Sequence, residues 1–478
     1  MDSSNRPDDT TTSANSAQAR RFFQLGCATL VGVVVYTIVS AHVDRPELLW
    51  LGLASLVLAC LPALIWSRSS SQTFPIFEVF ILTTGNAYAL PLLSSHQASL
   101  QLFAPESVVH AALGVLLFQL VALVTYLRIP GHARTSPFWT EEIISRDMIK
   151  LFGYGITLTT VYNCLTTFIL VLPPEIEGTL RAVVGGIGIV CTFVMSRFWG
   201  SGQLKSDQKI LLCANLIIQS IVQFSTLFLV GGISMLVLAL LGFMSTARRL
   251  PLVLTTLLVA LLAVLHNGKS AMRDQYWDSD GNHQQVTVSE LPAFYWEWIN
   301  EGLKPSDESG DRQLATKLID RTSLMHILCL VVDTSPSRLD FLYGKTYGQI
   351  PGQFVPRPLC PNKPPGHIST YTLAIYYGLQ NEEDTAKTTI GFGLIAEAYA
   401  NFGFFGIGIL AFCCGVFFKL VKTWTMLSPI LSFPGLFLVV LMAWTFQTEF
   451  TLSIWLSSLF QACLTVVLLP YLLRKFFG

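Results

Sequence analysis

Residues 355–364 read VPRPLCPNKP and lie within a polar segment that runs from about His266 to Gly403. Apolar runs make up most of the chain on either side of that segment. Proline and glycine at such density fix the turns of a loop, so we expect this segment to have a defined shape without regular structure. The apolar runs around it are expected to place it on one side of a membrane.

The composition is that of a membrane protein. Of the 478 residues, 52% are hydrophobic and only 13% are charged, whereas soluble domains carry about a quarter charged residues. A bilayer span needs roughly 17–25 mostly apolar residues, and the sequence holds many such runs. The expected fold class is an all-α polytopic membrane protein. Residues 1–19 are polar and lack an apolar core, which predicts a disordered cytoplasmic tail rather than a signal peptide.

The apolar runs predict about twelve transmembrane helices with both termini in the cytoplasm. Nine spans are expected within residues 20–266, a long outer segment at 267–391, and three more spans at 392–478. As one helix, the run from Leu211 to Ala247 would be about 55 Å long, against roughly 30 Å for the hydrocarbon core. We therefore divide it at Gly231 and Gly232 into two spans. Outside the long segment, lysine and arginine concentrate at the ends assigned to the cytoplasm.

Positively charged side chains in the long segment indicate an anion site. Lys269 and Arg273 follow the ninth span, where they could either anchor the interface or bind a lipid phosphate. The proline-rich loop adds further cations, and arginine offers a planar fork of donors that matches phosphate oxygens. The candidates in that loop are Arg338, Lys345, Arg357 and Lys363. The sequence has no Walker-type glycine loop, so a nucleotide substrate has no support.

Glu397 is an acidic residue at the mouth of the tenth span. Carboxylates within membranes are rare and usually face a polar cavity, which makes this residue a functional candidate. Asn401 lies four residues later and is expected to share its helix face. Two other acids, Glu78 and Glu449, lie near an inner end and at a hairpin turn, where placement at the interface explains them.

Two motifs resemble those of bacterial oligosaccharide repeat-unit polymerases of the Wzy type, which include O-antigen polymerases. One is Pro-Arg-x-Leu-x-Pro-x-Lys-Pro at residues 356–364, and the other is Glu-x-Tyr-x-Asn-Phe-Gly at residues 397–403. The order of features, with one large outer loop late in a bundle of many spans, is also similar. Cys360 stands where similar proteins often have Trp. The rest of the chain matches only as a hydropathy profile.

The resemblance implies a GT-C-like bundle in the bacterial inner membrane and a glycosyltransferase that uses no metal and no other cofactor. Such an enzyme moves a growing glycan from undecaprenyl pyrophosphate to a new lipid-linked unit on the periplasmic face. A chain-length-determinant co-polymerase and a flippase are the implied partners, and no nucleic acid is involved. Glu397 is the first choice for the base and His367 the second, and Arg357 is a catalytic cation. The residues expected to bind pyrophosphate or glycan are Lys269, Arg273, Arg338, Lys345, Lys363, Tyr399 and Asn401.

Three alternatives remain open at this point. A ligase with the same architecture would pass the glycan to another acceptor, and the donor half of its site would be alike. A lipid-linked oligosaccharide flippase would place charged residues within the membrane cavity, whereas the spans here are nearly free of lysine and arginine. A membrane cysteine peptidase would use Cys360 as nucleophile with His367 as its base and Arg357 nearby.

Overall fold

A computed structural model defines the architecture. It describes residues 9–40, 46–68, 75–93, 98–132, 134–135, 146–170, 172–227, 229–247, 251–276, 286–304, 323–355, 360, 363–385, 389–426, 428–445 and 447–477. Within these ranges the chain forms helices and connecting turns and no β-strand. The all-α prediction is therefore confirmed for the described part of the chain.

The N-terminal half of the chain forms eight principal helices. Apolar side chains suit them to lipid, where a helix satisfies every backbone polar group internally. Pro105 and Pro174 occupy the first turns of two of them, where a missing backbone N–H costs nothing. The helices are α1 (Asp9–Ser40), α2 (Pro46–Arg68), α3 (Ile76–Leu93), α4 (Pro105–Arg128), α5 (Arg146–Phe168), α6 (Pro174–Gly200), α7 (Ser206–Ser225) and α8 (Leu229–Ala247).

Seven principal helices follow, and short helical turns connect some of them. They are α9 (Leu252–Tyr276), α10 (Leu291–Leu303), α11 (Met325–Thr334), α12 (Ile368–Tyr376), α13 (Gly393–Thr425), α14 (Phe433–Thr445) and α15 (Leu452–Phe477). A short helix at Ile350–Phe354 precedes α12.

Six helices in the described ranges are long and apolar enough to cross a membrane. They are Pro46–Arg68, Ile76–Leu93, Pro105–Arg128, Val183–Gly200, Leu252–Lys269 and Gly393–Thr425. Shorter apolar helical stretches occur at Phe23–Val39, Gly231–Ala247, Met325–Thr334, Phe433–Ala443 and Leu452–Val467. Length and composition thus support a helical membrane protein, and the count of twelve spans stays a prediction.

Two separate apolar clusters hold the helices together. The larger one is built around α3, α4 and α13, where the ring of Phe80 packs against Phe418 with 4.6 Å between the centroids. The smaller one joins the turn between α7 and α8 to α9 and α10, and Trp298 is fully buried within it. The indole N–H of Trp298 donates to the carbonyl of Leu265 at 2.7 Å, which satisfies its one buried donor.

The predicted division of residues 211–247 into two helices is correct, but the turn lies elsewhere. The chain turns at Thr226 and Leu227, and Gly231 and Gly232 lie inside α8. A Cβ on Gly232 would lie 2.4 Å from the ring of Phe224. That glycine therefore serves the close approach of two helices and not a change of direction.

The helix α13, expected to be continuous, is broken near its start. Phe402 has φ −145° and ψ 19°, and Gly403 has φ 61° and ψ −148°. The second combination is accessible essentially to glycine alone. A Cβ at Gly403 would also lie 3.0 Å from the ring of Phe341. The element consists of a short first half that carries Glu397 and Asn401, and a long second half that ends near Lys422.

Candidate active site

The break in α13 coincides with a turn from the polar segment that docks onto it. The backbone N–H groups of Leu342 and Tyr343 donate to the carbonyls of Ala400 and Asn401 at 2.9 and 3.1 Å. These are the last carbonyls of the first half-helix, which have no partner within that helix. The chain turns there with positive φ values of 45° at Tyr343 and 88° at Gly344. These N–H groups thus supply the hydrogen bonds that the next turn of an unbroken helix would give to the two carbonyls.

Asn401 links the turn to the half-helix through its side chain. Its Oδ1 accepts from the backbone N–H of Gly344 at 3.0 Å. Its Nδ2 donates to Thr346 Oγ1 and to the carbonyl of Glu397, each at 2.8 Å. The residue is fully buried, and these bonds satisfy its acceptor and both donors. Asn401 therefore fixes the shape of the site and leaves no group free for substrate.

Glu397 is fully buried one helical turn before Asn401. Its Oε2 accepts a 2.6 Å hydrogen bond from the backbone N–H of Leu452, the first residue of α15. The N-terminus of a helix favours a negative charge, and this contact supplies both a donor and that field. The Thr346 side chain lies beside the carboxylate as well. The buried charge is thereby compensated on one side.

The other carboxylate oxygen of Glu397 has a different environment. Among the described residues, Oε1 has no hydrogen-bond partner although it is enclosed by protein. The Oγ of Ser453, next to Leu452, is also buried without a partner within the described ranges. A buried acceptor in this state calls for a water or a ligand group to satisfy it. The carboxylate therefore has one anchored oxygen and one that can accept a proton.

A group of small polar residues adjoins Thr346 and Leu452, the two residues beside this carboxylate, and sequence reasoning missed this group. The Oγ of Ser369 lies 3.2 Å from the carbonyl of Thr346 and 3.0 Å from Gln349 Oε1. The hydroxyls of Thr370 and Thr451 are 3.4 Å apart. All of these hydroxyl-bearing residues are buried. Single Ser and Thr residues in a loop carry no pattern by which a sequence could have marked them.

Tyr347 extends this group of polar residues toward the break in α13 at Phe402 and Gly403. Burial raises the pKa of its phenol, and the charge of Glu397 raises it further. The phenol is therefore a proton donor at every physiological pH and never a competing base. Its ring lies 6.3 Å from that of Phe402. Tyr399, a predicted glycan-binding residue, is buried between the rings of Phe341 and Phe404, at 6.0 and 5.3 Å.

The predicted cations of the loop fall into different environments. Lys345 is exposed on the turn next to Thr346. Arg338 is 75% exposed and lies 3.7 Å from the carboxylate of Asp333. Lys363 instead donates to the carbonyls of Gln353 and Val355 at 2.6 and 2.9 Å. Those bonds hold the end of the short helix at Ile350–Phe354, so this lysine shapes the loop.

Arg357, the predicted catalytic cation, lies outside the described residues, and so do its neighbours at 356, 358 and 359. Cys360 is described and half-buried, with a free thiol. His367 is exposed at the N-terminus of α12, and its ring lies 6.1 Å from that of Tyr371. Desolvation by the surrounding protein lowers the pKa of His367. That shift favours the neutral imidazole, the form that can accept a proton.

Lys269 and Arg273 belong to another part of the molecule. The helix α9 continues to Tyr276, so both residues lie on a helix and not in the loop that follows the span. Lys269 is buried, and Arg273 Nη2 donates to the carbonyl of Leu227 at 3.2 Å. Their neighbours form the smaller apolar cluster, whereas those of Glu397 belong to the larger one. The structure thus gives them a place in the packing of α9 against the turn between α7 and α8.

A π-helical turn at Gly85–Ala89 in α3 provides a second docking point for the polar segment. The backbone N–H of Leu324 donates to the carbonyl of Ala87 at 3.0 Å. A π-turn frees a carbonyl from the regular helical pattern, and such turns are frequent at functional sites. The segment is thereby held against both α3 and α13 at the same end of the bundle.

Among the described residues, no group of three or more His, Cys, Asp or Glu side chains is placed to hold a metal ion. Residues 189–475, well over half of the chain, match a family described as a domain of unknown function (DUF8712). The match covers the smaller apolar cluster, the polar segment and the whole of the site around Glu397. No curated protein and no solved structure is detectably similar to the chain.

Proposed function

Because the chain belongs to the DUF8712 family, whose description carries no activity, we propose a function from the site itself: a membrane glycosyltransferase that polymerises lipid-linked oligosaccharide units. The observation that carries the proposal is the carboxylate of Glu397. It is fully buried, anchored through Oε2 and unpartnered through Oε1 within the described ranges, and the turn that carries Lys345 and Thr346 docks onto its half-helix through Asn401. This is the arrangement that a general base needs.

The chemistry requires a base and a way to stabilise a leaving pyrophosphate. Glu397 Oε1 takes the proton of a sugar hydroxyl on the incoming lipid-linked unit, while that oxygen attacks the anomeric carbon of the growing chain. The bond from the anomeric carbon to the pyrophosphate oxygen breaks, and its electron pair leaves with the lipid pyrophosphate. Fixed cations stabilise such a developing charge most effectively in a site that excludes water. Lys345, Arg338 and Arg357 serve this role.

Asn401 and Lys363 do not contact substrate in this proposal, and they position the groups that do. Asn401 keeps the turn at residues 342–346 on the broken helix, and so sets the distance between that turn and Glu397. Lys363 fixes the carbonyls that end the short helix before the proline-rich stretch. Both hold the loop in one geometry, which a transfer reaction between two large substrates requires.

The membrane placement belongs to the same proposal. The chain has about twelve spans, both termini lie in the cytoplasm of a bacterial cell, and the polar segment faces the periplasm across the inner membrane. The donor and acceptor are then undecaprenyl-pyrophosphate-linked oligosaccharides delivered by a flippase. A chain-length-determinant protein is a further partner. The positive-inside distribution of lysine and arginine supports this orientation.

The test is an assay of the purified protein in liposomes with chemically defined lipid-linked repeat units. Products that lengthen by whole repeat units, with release of lipid pyrophosphate, are expected. Transfer to a different lipid or protein acceptor would identify a ligase instead. Translocation without release of pyrophosphate would identify a flippase. The Cys360→Ser variant is expected to retain full activity, and loss of activity would favour a thiol nucleophile.

A further inference from the structure

A second polar site lies at the opposite end of the bundle, where α3, α4 and α13 meet. Lys419 and Lys422 both lie over the ring of Tyr126, with their ammonium nitrogens 5.1 and 5.3 Å from its centroid. The hydroxyl of Tyr126 donates to Glu78 Oε1 at 3.2 Å. Glu78 is only 4% exposed, so the acid is a buried member of the site and not the interfacial residue that its sequence position suggested.

The formal charges in this site do not balance. Two ammonium groups face one carboxylate, and neither forms an ion pair with Glu78 in the described part of the chain. Both ammonium groups lie within 5.3 Å of the centre of the same Tyr126 ring, which brings two like charges to one aromatic side chain. Arg128, the exposed last residue of α4, and the exposed Arg134 add to the excess. An anion placed between the lysines would relieve this repulsion.

The connection after α4 closes one side of the site. The backbone N–H of Arg134 donates to the carbonyl of Thr423 at 3.2 Å. A Cβ on Gly131 would lie 3.5 Å from Lys419 Nζ, so the chain passes directly beside that ammonium. Gly131 therefore lies beside Lys419, and Arg134 is tied to α13. The lysines are therefore enclosed on one side by a backbone segment that is hydrogen-bonded to α13. Isolated lysines at the end of a helix have no such neighbour.

The level of the site indicates which anion it meets. Lys419 lies 16 residues after the break at Gly403, in the unbroken second half of α13. That corresponds to about 24 Å of helix, most of the roughly 30 Å thickness of the hydrocarbon core. When Glu397 is at one surface of the membrane, the lysines are at the headgroup level of the other. Leu120, Val124 and Leu127 are exposed on α4 and recur at helical spacing just before Arg128. An apolar stripe thus leads up to the basic site.

We propose that Lys419 and Lys422 bind the phosphate of an anionic phospholipid in the leaflet opposite the Glu397 site, with an acyl chain along the exposed stripe of α4. The ring of Tyr126 orients the two ammonium groups, and the carboxylate of Glu78 partly neutralises their charge when no lipid is bound. The proposal does not depend on the transferase function, because it concerns the other end of the bundle.

The experiment measures the thermal unfolding of detergent-purified protein as phosphatidylglycerol, phosphatidylcholine or inorganic phosphate is added. Phosphatidylglycerol is expected to raise the melting temperature well above the effect of phosphatidylcholine. Inorganic phosphate alone is expected to have little effect. An equal stabilisation by both phospholipids would overturn the proposal, and an equal effect of inorganic phosphate would replace the lipid by a free anion.

Variants assign the effect to the site. The Lys419→Gln/Lys422→Gln variant should lose about thirtyfold in apparent affinity for phosphatidylglycerol, given the usual contribution of each lysine. Lys150→Gln/Lys209→Gln removes the same charge from α5 and α7 and should bind the lipid normally. Lys419→Arg/Lys422→Arg keeps the charge and should bind, and Glu78→Gln should bind more tightly because a competing charge is removed. The last two variants retain a test if the first fails to fold, and weaker binding by Glu78→Gln would contradict the proposal.

Discussion

Glu397 Oε2 and the backbone N–H of Leu452 are joined by a 2.6 Å hydrogen bond across 55 residues of sequence. The bond ties the short first half of α13 to the N-terminus of α15, the last helix of the chain. It satisfies one of the unpaired N–H groups at a helix start and at the same time holds a carboxylate in place, so it contributes to packing and, in the proposed function, to chemistry. The orientation of Glu397 is thereby set before any substrate arrives.

The Glu397→Gln variant should separate these two roles. Glutamine can still accept from the Leu452 N–H through its amide oxygen, so folding and donor binding should be preserved. It cannot take a proton, and the transfer rate should fall by about 10²–10⁴-fold, the usual contribution of a general base. Glu449→Gln is a matched control, since Glu449 is an exposed acid at the turn just before α15. Transfer at the normal rate by Glu397→Gln would leave this residue a purely structural role.

The Asn401→Ala variant tests whether the docked turn is needed for transfer. It removes bonds to Gly344, Thr346 and Glu397 and should cost about 2–4 kcal/mol of unfolding free energy. Asn215→Ala is the comparison, because Asn215 also makes three side-chain hydrogen bonds, to Thr160, Thr157 and Leu211, within the membrane bundle.

Both asparagine variants should lower the melting temperature by similar amounts, and only Asn401→Ala should also slow transfer at a temperature where both proteins are folded. Equal activity of the two variants under those conditions would show that the turn at residues 342–346 does not position the site.

The Gly403→Ala variant tests the break in α13. Alanine at φ 61° and ψ −148° is strained, and its Cβ would press on the ring of Phe341. The expected cost is about 1–3 kcal/mol of unfolding free energy. Gly408 lies five residues on in the same element, where a Cβ meets no atom within 4 Å. Gly408→Ala should therefore be neutral or stabilise the protein by up to about 1 kcal/mol. Thermal unfolding of the two variants in one detergent measures the difference, and equal melting temperatures would argue for a continuous helix.

How far the sequence predicts the site can be judged from these same residues. Glu397 and Asn401 stand out because polar side chains are rare in apolar runs and the two lie one helical turn apart. The break after Asn401 has no such signal, since a glycine is common in membrane helices. Its cause is the docking of Leu342 and Tyr343, which lie nearly 60 residues earlier in the chain. Local pattern carries no information about a contact of that range.

The charged residues also show that local sequence does not reveal long-range contacts. Because Lys269 and Arg273 follow the ninth apolar run, the sequence places them with the loop cations. The helix α9 extends beyond that run, Lys269 is buried on it, and Arg273 donates to the carbonyl of Leu227 in the smaller apolar cluster. The sequence predicts an interfacial acid at Glu78, whereas the structure buries this residue against Tyr126. Hydropathy marks where a helix meets the membrane surface, but the partner of a charged side chain is set by tertiary packing.

Arg357 gives the most direct test of the pyrophosphate chemistry. Arg357→Ala should abolish polymer formation while the protein still inserts and folds, because the leaving group then lacks its planar fork of donors. Arg357→Lys keeps the charge without the fork and should retain part of the activity. Lys304→Ala removes a cation that lies at the end of α10 beside Glu301, and it should leave polymer length unchanged. The measurement is the length distribution and amount of polymer from each variant, with protein level and melting temperature compared in parallel. Normal polymer from a folded Arg357→Ala protein would remove this arginine from the reaction and shift the role to Lys345 and Arg338.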